Sequence, residues 1–213
     1  MFTGIITGIG TITKATPIEA GQGYQLLIDA PKGFLDDVGL GDSIALNGAC
    51  MTVTTLDKDN SRFTIDISRE SLNHTAELNQ EGKKINLEKA MRMDERLGGH
   101  LVSGHVDGVG TVHQMAPVGE SWQLEILVPA DLGKFLAYKG SITINGVSLT
   151  VNTVQDQTDG QTLVSINLIP HTVANTTLGL LKSGSKVNLE IDLIARYVER
   201  MLTAGAGIQL TTK

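Results

Sequence analysis

The sequence predicts an all-β protein made of two tandem, homologous, small closed antiparallel β-barrels of Greek-key type, followed by one C-terminal α-helix. Three observations predict it. One set of sequence blocks occurs twice in the same order, apolar residues inside the blocks alternate at period two, and Asn-Gly pairs stand between apolar runs.

The repeat comes first because it fixes the domain organisation. SIALNGACMTVTTL (43–56) lies against SITINGVSLTVNTV (141–154) with seven identities in fourteen positions. The register extends both ways: GIITGIGTI (4–12) faces GHVDGVGTV (104–112), and PKGFLDDVGLGDSI (31–44) faces PADLGKFLAYKGSI (129–142). DISRESLNHTAEL (66–78) then faces NLIPHTVANTTLG (167–179), and KINLE (84–88) faces KVNLE (186–190). Five ordered blocks imply two copies of one domain, residues 1–97 and 98–191, each of a size suited to a small autonomous unit.

Within each copy the short alternating runs, such as Ile44 and Leu46, Ile142 and Ile144, or Val164, Ile166 and Leu168, read as strands. Asn47-Gly48 and Asn145-Gly146 read as tight turns, because both residue types tolerate positive φ. Many short strands without long helices favour closure into a barrel, which removes exposed edges. Pro31 and Pro129 each stand where a short helix could begin. After Asp192, a suitable N-cap, Leu193, Ile194, Tyr197, Val198, Met201 and Leu202 recur at helical spacing up to Gly205. This predicts a helix over 192–205 that packs on its own barrel, between domains or between subunits, followed by a tail over 206–213.

Composition excludes several classes of function. With 17 Lys plus Arg against 23 Asp plus Glu, a formal charge of -6 and no basic cluster, the 213-residue chain is not expected to bind nucleic acid. No apolar run is long enough to span a bilayer, and the first residues lack the pattern of a signal peptide, so a cytoplasmic location is expected. Cys50 is the single cysteine and has no internal disulfide partner, so its thiol is either buried packing or a reactive group.

On the strand through Cys50, alternation sets Cys50, Thr52 and Thr54 on one face and Ala49, Met51 and Val53 on the other. The second copy repeats this with Ser148, Thr150 and Asn152 against Val147, Leu149 and Val151. Small hydrogen-bonding groups suit a pocket wall, or a solvated sheet face. The run Gly98-Gly99-His100-Leu101-Val102-Ser103-Gly104-His105-Val106-Asp107-Gly108 leaves backbone open to close approach by a ligand. His105 stands where Ile5 stands in the first copy, so the halves differ at a titratable group. The spacing of His100 and His105 does not match a metal site, and neither GxGxxG nor a Walker loop is present. His74 and His113 read as surface residues.

MFTGI, NGACMTV, GGHLVSGHVDG, KGSITINGVSLTV, LIPHT and NLEID with a following helix together resemble riboflavin synthases of the alpha-chain type, in the lumazine-binding domain family. The resemblance covers nearly the whole chain. It implies a transferase acting on two 6,7-dimethyl-8-ribityllumazine molecules, one giving and one accepting a four-carbon unit, to form riboflavin and 5-amino-6-ribitylaminouracil. It implies no cofactor and no metal, a homotrimer in which the N-terminal barrel of one subunit faces the C-terminal barrel of another, and leaves a lumazine synthase shell open as a further partner. Carried over by motif, a first substrate site uses Gly4, Ile5, Ile6, Cys50, Met51, Thr52 and a strand of Asp66, Ile67, Ser68, Arg69, Glu70 and Ser71. A second uses Gly104, His105, Val106, Lys139, Ser148, Leu149, Thr150, Leu168, Ile169, Pro170, His171, Thr172 and Val173. The chemistry wants a base and a nucleophile: His105 suits the first role, Cys50, Ser148 or an activated water the second, and Asp192 could orient or assist. Arg69-Glu70-Ser71 departs from the family's more usual Pro-Glu-Thr, and Ala49 stands where a larger residue or second Cys often appears. The alternative is a non-catalytic lumazine- or flavin-binding antenna protein, which would tend to lose the motif around His100 and His105.

Overall fold

Residues 1–18 and 21–205 are described by the computed structural model; the tail over 206–213 lies outside them. The first half carries β1 (Gly8–Pro17), β2 (Gly23–Asp29), β3 (Ser43–Leu46), β4 (Ala49–Asp57), β5 (Arg62–Ser68), α1 (Arg69–His74) and β6 (Lys84–Lys89). The second carries β7 (Gly108–Val118), β8 (Ser121–Val128), α2 (Ala130–Gly133), β9 (Ser141–Ile144), β10 (Val147–Asp156), β11 (Thr162–Leu168), α3 (Pro170–Asn175) and β12 (Lys186–Ile191). α4 (Leu193–Gly205) ends the described chain.

Each half closes into a barrel of six antiparallel strands, ordered β1-β2-β5-β4-β3-β6 and β7-β8-β11-β10-β9-β12. The bulges repeat as well. β1 slips between Ile12 and Lys14 and β7 between Val112 and Gln114. β4 slips between Val53 and Thr55 and β10 between Val151 and Thr153. Bulges bend a strand, and a six-stranded ring needs such bends to close.

Period-two alternation produces the cores. Ile12, Leu26, Ile28, Phe63, Ile65 and Leu87 fill the first barrel, and Val112, Leu124, Ile126, Val164, Ile166 and Leu189 fill the second. On β4 the inward set is Ala49, Met51 and Val53, all in the first core, while Thr52 and Thr54 face out. Both Asn-Gly turns form with positive φ at each residue: Asn47 at 45° and Gly48 at 86°, Asn145 at 48° and Gly146 at 79°.

The two prolines differ. Pro129 caps α2. Pro31 starts successive turns, with Phe34, Asp36 and Val38 each donating to the carbonyl three residues earlier, because Gly33 at φ 83° interrupts the helical path. α4 begins as expected, with the Asp192 carboxylate accepting the Ile194 N–H. Its polar contacts to the second barrel are Arg196 to Asp107 at 2.6 Å and Lys134 to Glu199 at 2.5 Å. Its apolar residues Ile194, Tyr197, Met201 and Leu202 stay 62–71% exposed. No described helix is long and apolar enough to cross a membrane.

Candidate functional site

The segments just before β1 and β7 build the centre of the molecule. Phe2 and Val102, both buried, bridge to each other as short antiparallel partners. The next residues are held by a buried carboxylate from the last strand of their own barrel. Glu88 accepts from the Thr3 N–H at 2.6 Å, the Thr3 hydroxyl at 2.7 Å and the Gly4 N–H at 3.0 Å. Glu190 does the same for the Ser103 N–H and hydroxyl and the Gly104 N–H, at 2.6, 2.7 and 3.0 Å. Burial pushes both carboxyl groups up in pKa, against the opposing pull of these hydrogen bonds.

The carbonyls of the same glycines point to the other barrel. Gly104 accepts from the Cys50 N–H, and Gly4 from the Ser148 N–H, each at 2.8 Å. Both glycines have positive φ, Gly4 at 76° and Gly104 at 82°. A Cβ on Gly104 would stand 2.6 Å from Cys50 Cβ, and one on Gly4 2.5 Å from Ser148 Cβ. Gly99 is equally tight, with its Cβ position 2.1 Å from the Thr3 carbonyl oxygen. The glycines expected to admit a ligand are therefore taken up by the chain itself, where each half crosses onto the other.

This crossing corrects the grouping drawn from the sequence. Gly104, His105 and Val106 lie with Cys50 and Met51 rather than with Ser148, and Val106 packs against the first core. Gly4 lies on Ser148 rather than with Cys50, and Ile6 packs against the second core. A repeat aligns the frames of two halves but does not reveal which half a bridging segment touches.

Around Cys50 is a pocket of about 270 Å³ lined by Met51, Glu70, Ser71, His74, Gly104, His105 and Val106 among others. It brings a thiol, a carboxyl and two imidazoles together in a partly open concavity. His74, expected only as a surface residue, is thereby on its wall. The segment expected as a strand through Ser71 ends at Ser68, whose hydroxyl caps α1 by accepting the Ser71 N–H. Arg69, Glu70 and Ser71 thus lie on a helix. Ile67 points into the core, while Asp66 and Thr52 are exposed.

The Ser148 side is equipped differently. His100, in the connection between the barrels, places Nδ1 2.7 Å from Ser148 Oγ. Its Nε2 is buried with no hydrogen-bond partner among the described residues. Burial pushes the His100 pKa down, opposed by the negative charge of Asp192. Leu149 and Leu168 are core residues of the second barrel, and Thr150 is exposed beside them. Leu168 ends β11, Ile169 caps α3, and Pro170, His171, Thr172 and Val173 lie on that helix. The Lys139 ammonium donates to the Asn152 side chain at 3.2 Å. His100, Glu88 and Glu190 were missed as a set. The last two had a signal, a polar residue repeated inside the apolar INLE and VNLE strands.

A second polar frame locks the barrels together. Asn86 Nδ2 donates to the Asn145 carbonyl and Asn188 Nδ2 to the Asn47 carbonyl, both at 2.9 Å. The turns Asn47-Gly48 and Asn145-Gly146 stack so closely that a Cβ on Gly48 would stand 2.9 Å from the Gly146 nitrogen. Among the described residues, no three His, Cys, Asp or Glu side chains are grouped as metal ligands.

Two barrels of one topology, each giving a strand to the lead segment of the other, define a duplicated two-barrel protein. The lumazine binding domain profile matches twice, at residues 3–90 and 103–192, and the chain belongs to that family, among its riboflavin synthases. It is 43% identical over 204 residues to riboflavin synthase of Bacillus subtilis, covering 95% of this chain and 90% of that one. It is 42% identical over 203 residues to that of Photobacterium phosphoreum, covering 95% and 89%. Among solved structures, LumP complexed with 6,7-dimethyl-8-(1'-D-ribityl) lumazine superposes with a TM-score of 0.77 at 30% identity, covering 90% of this chain and 99% of that one. LumP complexed with riboflavin gives 0.79 at 29% identity with the same coverage.

Proposed function

We propose that this chain, an enzyme of the transferase type, converts two molecules of 6,7-dimethyl-8-ribityllumazine into riboflavin and 5-amino-6-ribitylaminouracil. One lumazine loses a four-carbon unit and the other gains it, so the step needs no external oxidant or reductant. The observation that carries this reading is one backbone frame built twice with unequal groups, Cys50 with His105 on one side and Ser148 with His100 on the other. Two copies of one molecule that must play different parts need such a pair of sites.

In this reading the Cys50 pocket, with Gly104, Val106, Met51, Thr52 and the Asp66 to Ser71 segment, holds one lumazine. Ser148, Leu149, Thr150, Lys139 and the Leu168 to Val173 segment, with Gly4, Ile5 and Ile6, hold the other. His105 removes a proton from the C7 methyl of one lumazine, and Cys50, Ser148 or an activated water adds to C7 of the other. Asp192, at the head of α4, assists through its charge. The two sites that react belong to different subunits of a homotrimer. Support comes from α4: burying one large apolar side chain is worth about 1.5–3 kcal/mol, and four of them stand exposed on one helix. Residues 1–97 and 98–191 would then be the two binding units.

Incubating the protein with 6,7-dimethyl-8-ribityllumazine and following riboflavin absorbance tests the activity. Steady riboflavin release supports it; saturable binding without turnover returns the antenna reading, in which this chain, like LumP, holds a lumazine.

A further inference from the structure

A further cavity lies apart from both proposed substrate sites. A cleft of about 530 Å³ opens between the barrels and shares no lining residue with the Cys50 pocket. It is built from matching parts of the two halves: Gly82-Lys83-Lys84 on one side, Gly184-Ser185-Lys186 on the other, and the Asn47 and Asn145 turns between them. It therefore sits on the pseudo-twofold axis relating the barrels.

Its charge is opposite to that of the whole chain. Lys83, Lys84, Lys182 and Lys186 line it with a single carboxylate, Glu77, on a chain of formal charge -6. Lys83 is paired with Glu77. The other three lysines have no carboxylate partner among the described residues. The ammonium groups of Lys84 and Lys186 each donate one proton to a threonine hydroxyl, Thr11 and Thr111, at 2.7 Å. That contact steadies each head and leaves two further donors on it. Thr177, a buried residue of the same wall, has a hydroxyl with no hydrogen-bond partner among the described residues. Three lysines without a carboxylate partner among the described residues line one concavity, where a multivalent anion would gain short, charge-assisted hydrogen bonds. The volume lies within the range of small-molecule pockets, about 300–1,000 Å³.

We propose that this cleft is a binding site for a small phosphorylated anion of the di- or triphosphate class, separate from the lumazine sites. Inorganic pyrophosphate is the probe, titrated by calorimetry into the full-length protein at low and moderate sodium chloride. Saturable binding at one site per chain is expected, weaker at higher salt. The affinity should fall by about tenfold or more in the Lys84→Gln, Lys186→Gln double variant, while Lys32→Gln, an exposed lysine elsewhere, leaves it unchanged. Lys182→Gln, at an exposed loop position, gives the same test with less demand on folding. No saturable binding, or binding that these variants leave intact, overturns the proposal. The variants should still form riboflavin, so failure here is distinct from failure of the proposed reaction.

Discussion

Cys50 and Ser148 occupy one place in two barrels. Each gives its backbone N–H to a glycine carbonyl of the opposite half at 2.8 Å, and each glycine is held by a buried glutamate three or four residues before α4 or its equivalent point in the first half. Beyond the backbone the likeness ends. Cys50 has His105 beside it in a pocket with Glu70 and His74, whereas Ser148 has Gly4 followed by Ile5 and shares a hydrogen with His100. The difference teaches what duplication holds fixed here. Glycine, glutamate and asparagine, which set the chain path, are the same in both halves, and the groups that can move protons are not.

The shared part predicts matched, large effects. Gly4→Ala and Gly104→Ala each place a Cβ within 2.6 Å of a neighbour at a positive φ. Strain of roughly 1–2 kcal/mol and overpacking of about 1–3 kcal/mol add, so each variant should lose roughly 3 kcal/mol in urea unfolding. A loss confined to one of them would break the symmetry argued for the frame.

The unequal part predicts one-sided effects. His100→Ala leaves the Ser148 hydroxyl without its partner, and we expect kcat to fall by roughly tenfold or more with the pH–rate profile altered. Lumazine binding at the Cys50 pocket should not change. A stability loss with an unaltered kcat and pH profile would make His100 a packing residue.

The smallest effect is in pH. Glu88 and Glu190 have folded pKa values raised by burial above the ordinary value of 4.5. The native chain therefore holds these protons more tightly than the unfolded one. The stability this contributes is full below the unfolded value and is lost as pH rises through the folded value. Exposed carboxylates such as Asp37 and Asp57 are shifted down and tilt the slope the other way. The informative quantity is thus the difference from the parent: Glu88→Gln with Glu190→Gln should lessen the loss of melting temperature over that rise in pH. An unchanged difference across the range would contradict the burial argument.

Much of this frame was legible in the sequence. The five repeated blocks and the alternation of Ala49, Met51 and Val53 with Cys50, Thr52 and Thr54 give the barrels and their inward faces, because period two follows from the pleat. The Asn-Gly turns and α4 were readable from local conformational preference. The crossing of Gly4 and Gly104 was not, since local pattern says nothing of contacts 54 or 144 residues away, the separations of Gly104 from Cys50 and of Ser148 from Gly4 in number. Likewise the end of β5 at Ser68 was hidden, because the cap depends on a serine side chain meeting Ser71. His100 and His74 carry no periodic signal, and only packing brings them to the two sites.

Steady-state kinetics with ligand titration on Cys50→Ala and His105→Ala tests the central claim most directly, that the two like-built sites owe their different roles to these groups. The account predicts a kcat lower by about 10²-fold or more in each variant, with lumazine affinity kept within roughly tenfold, as for groups acting in the transition state. A near-normal kcat in both variants would contradict it.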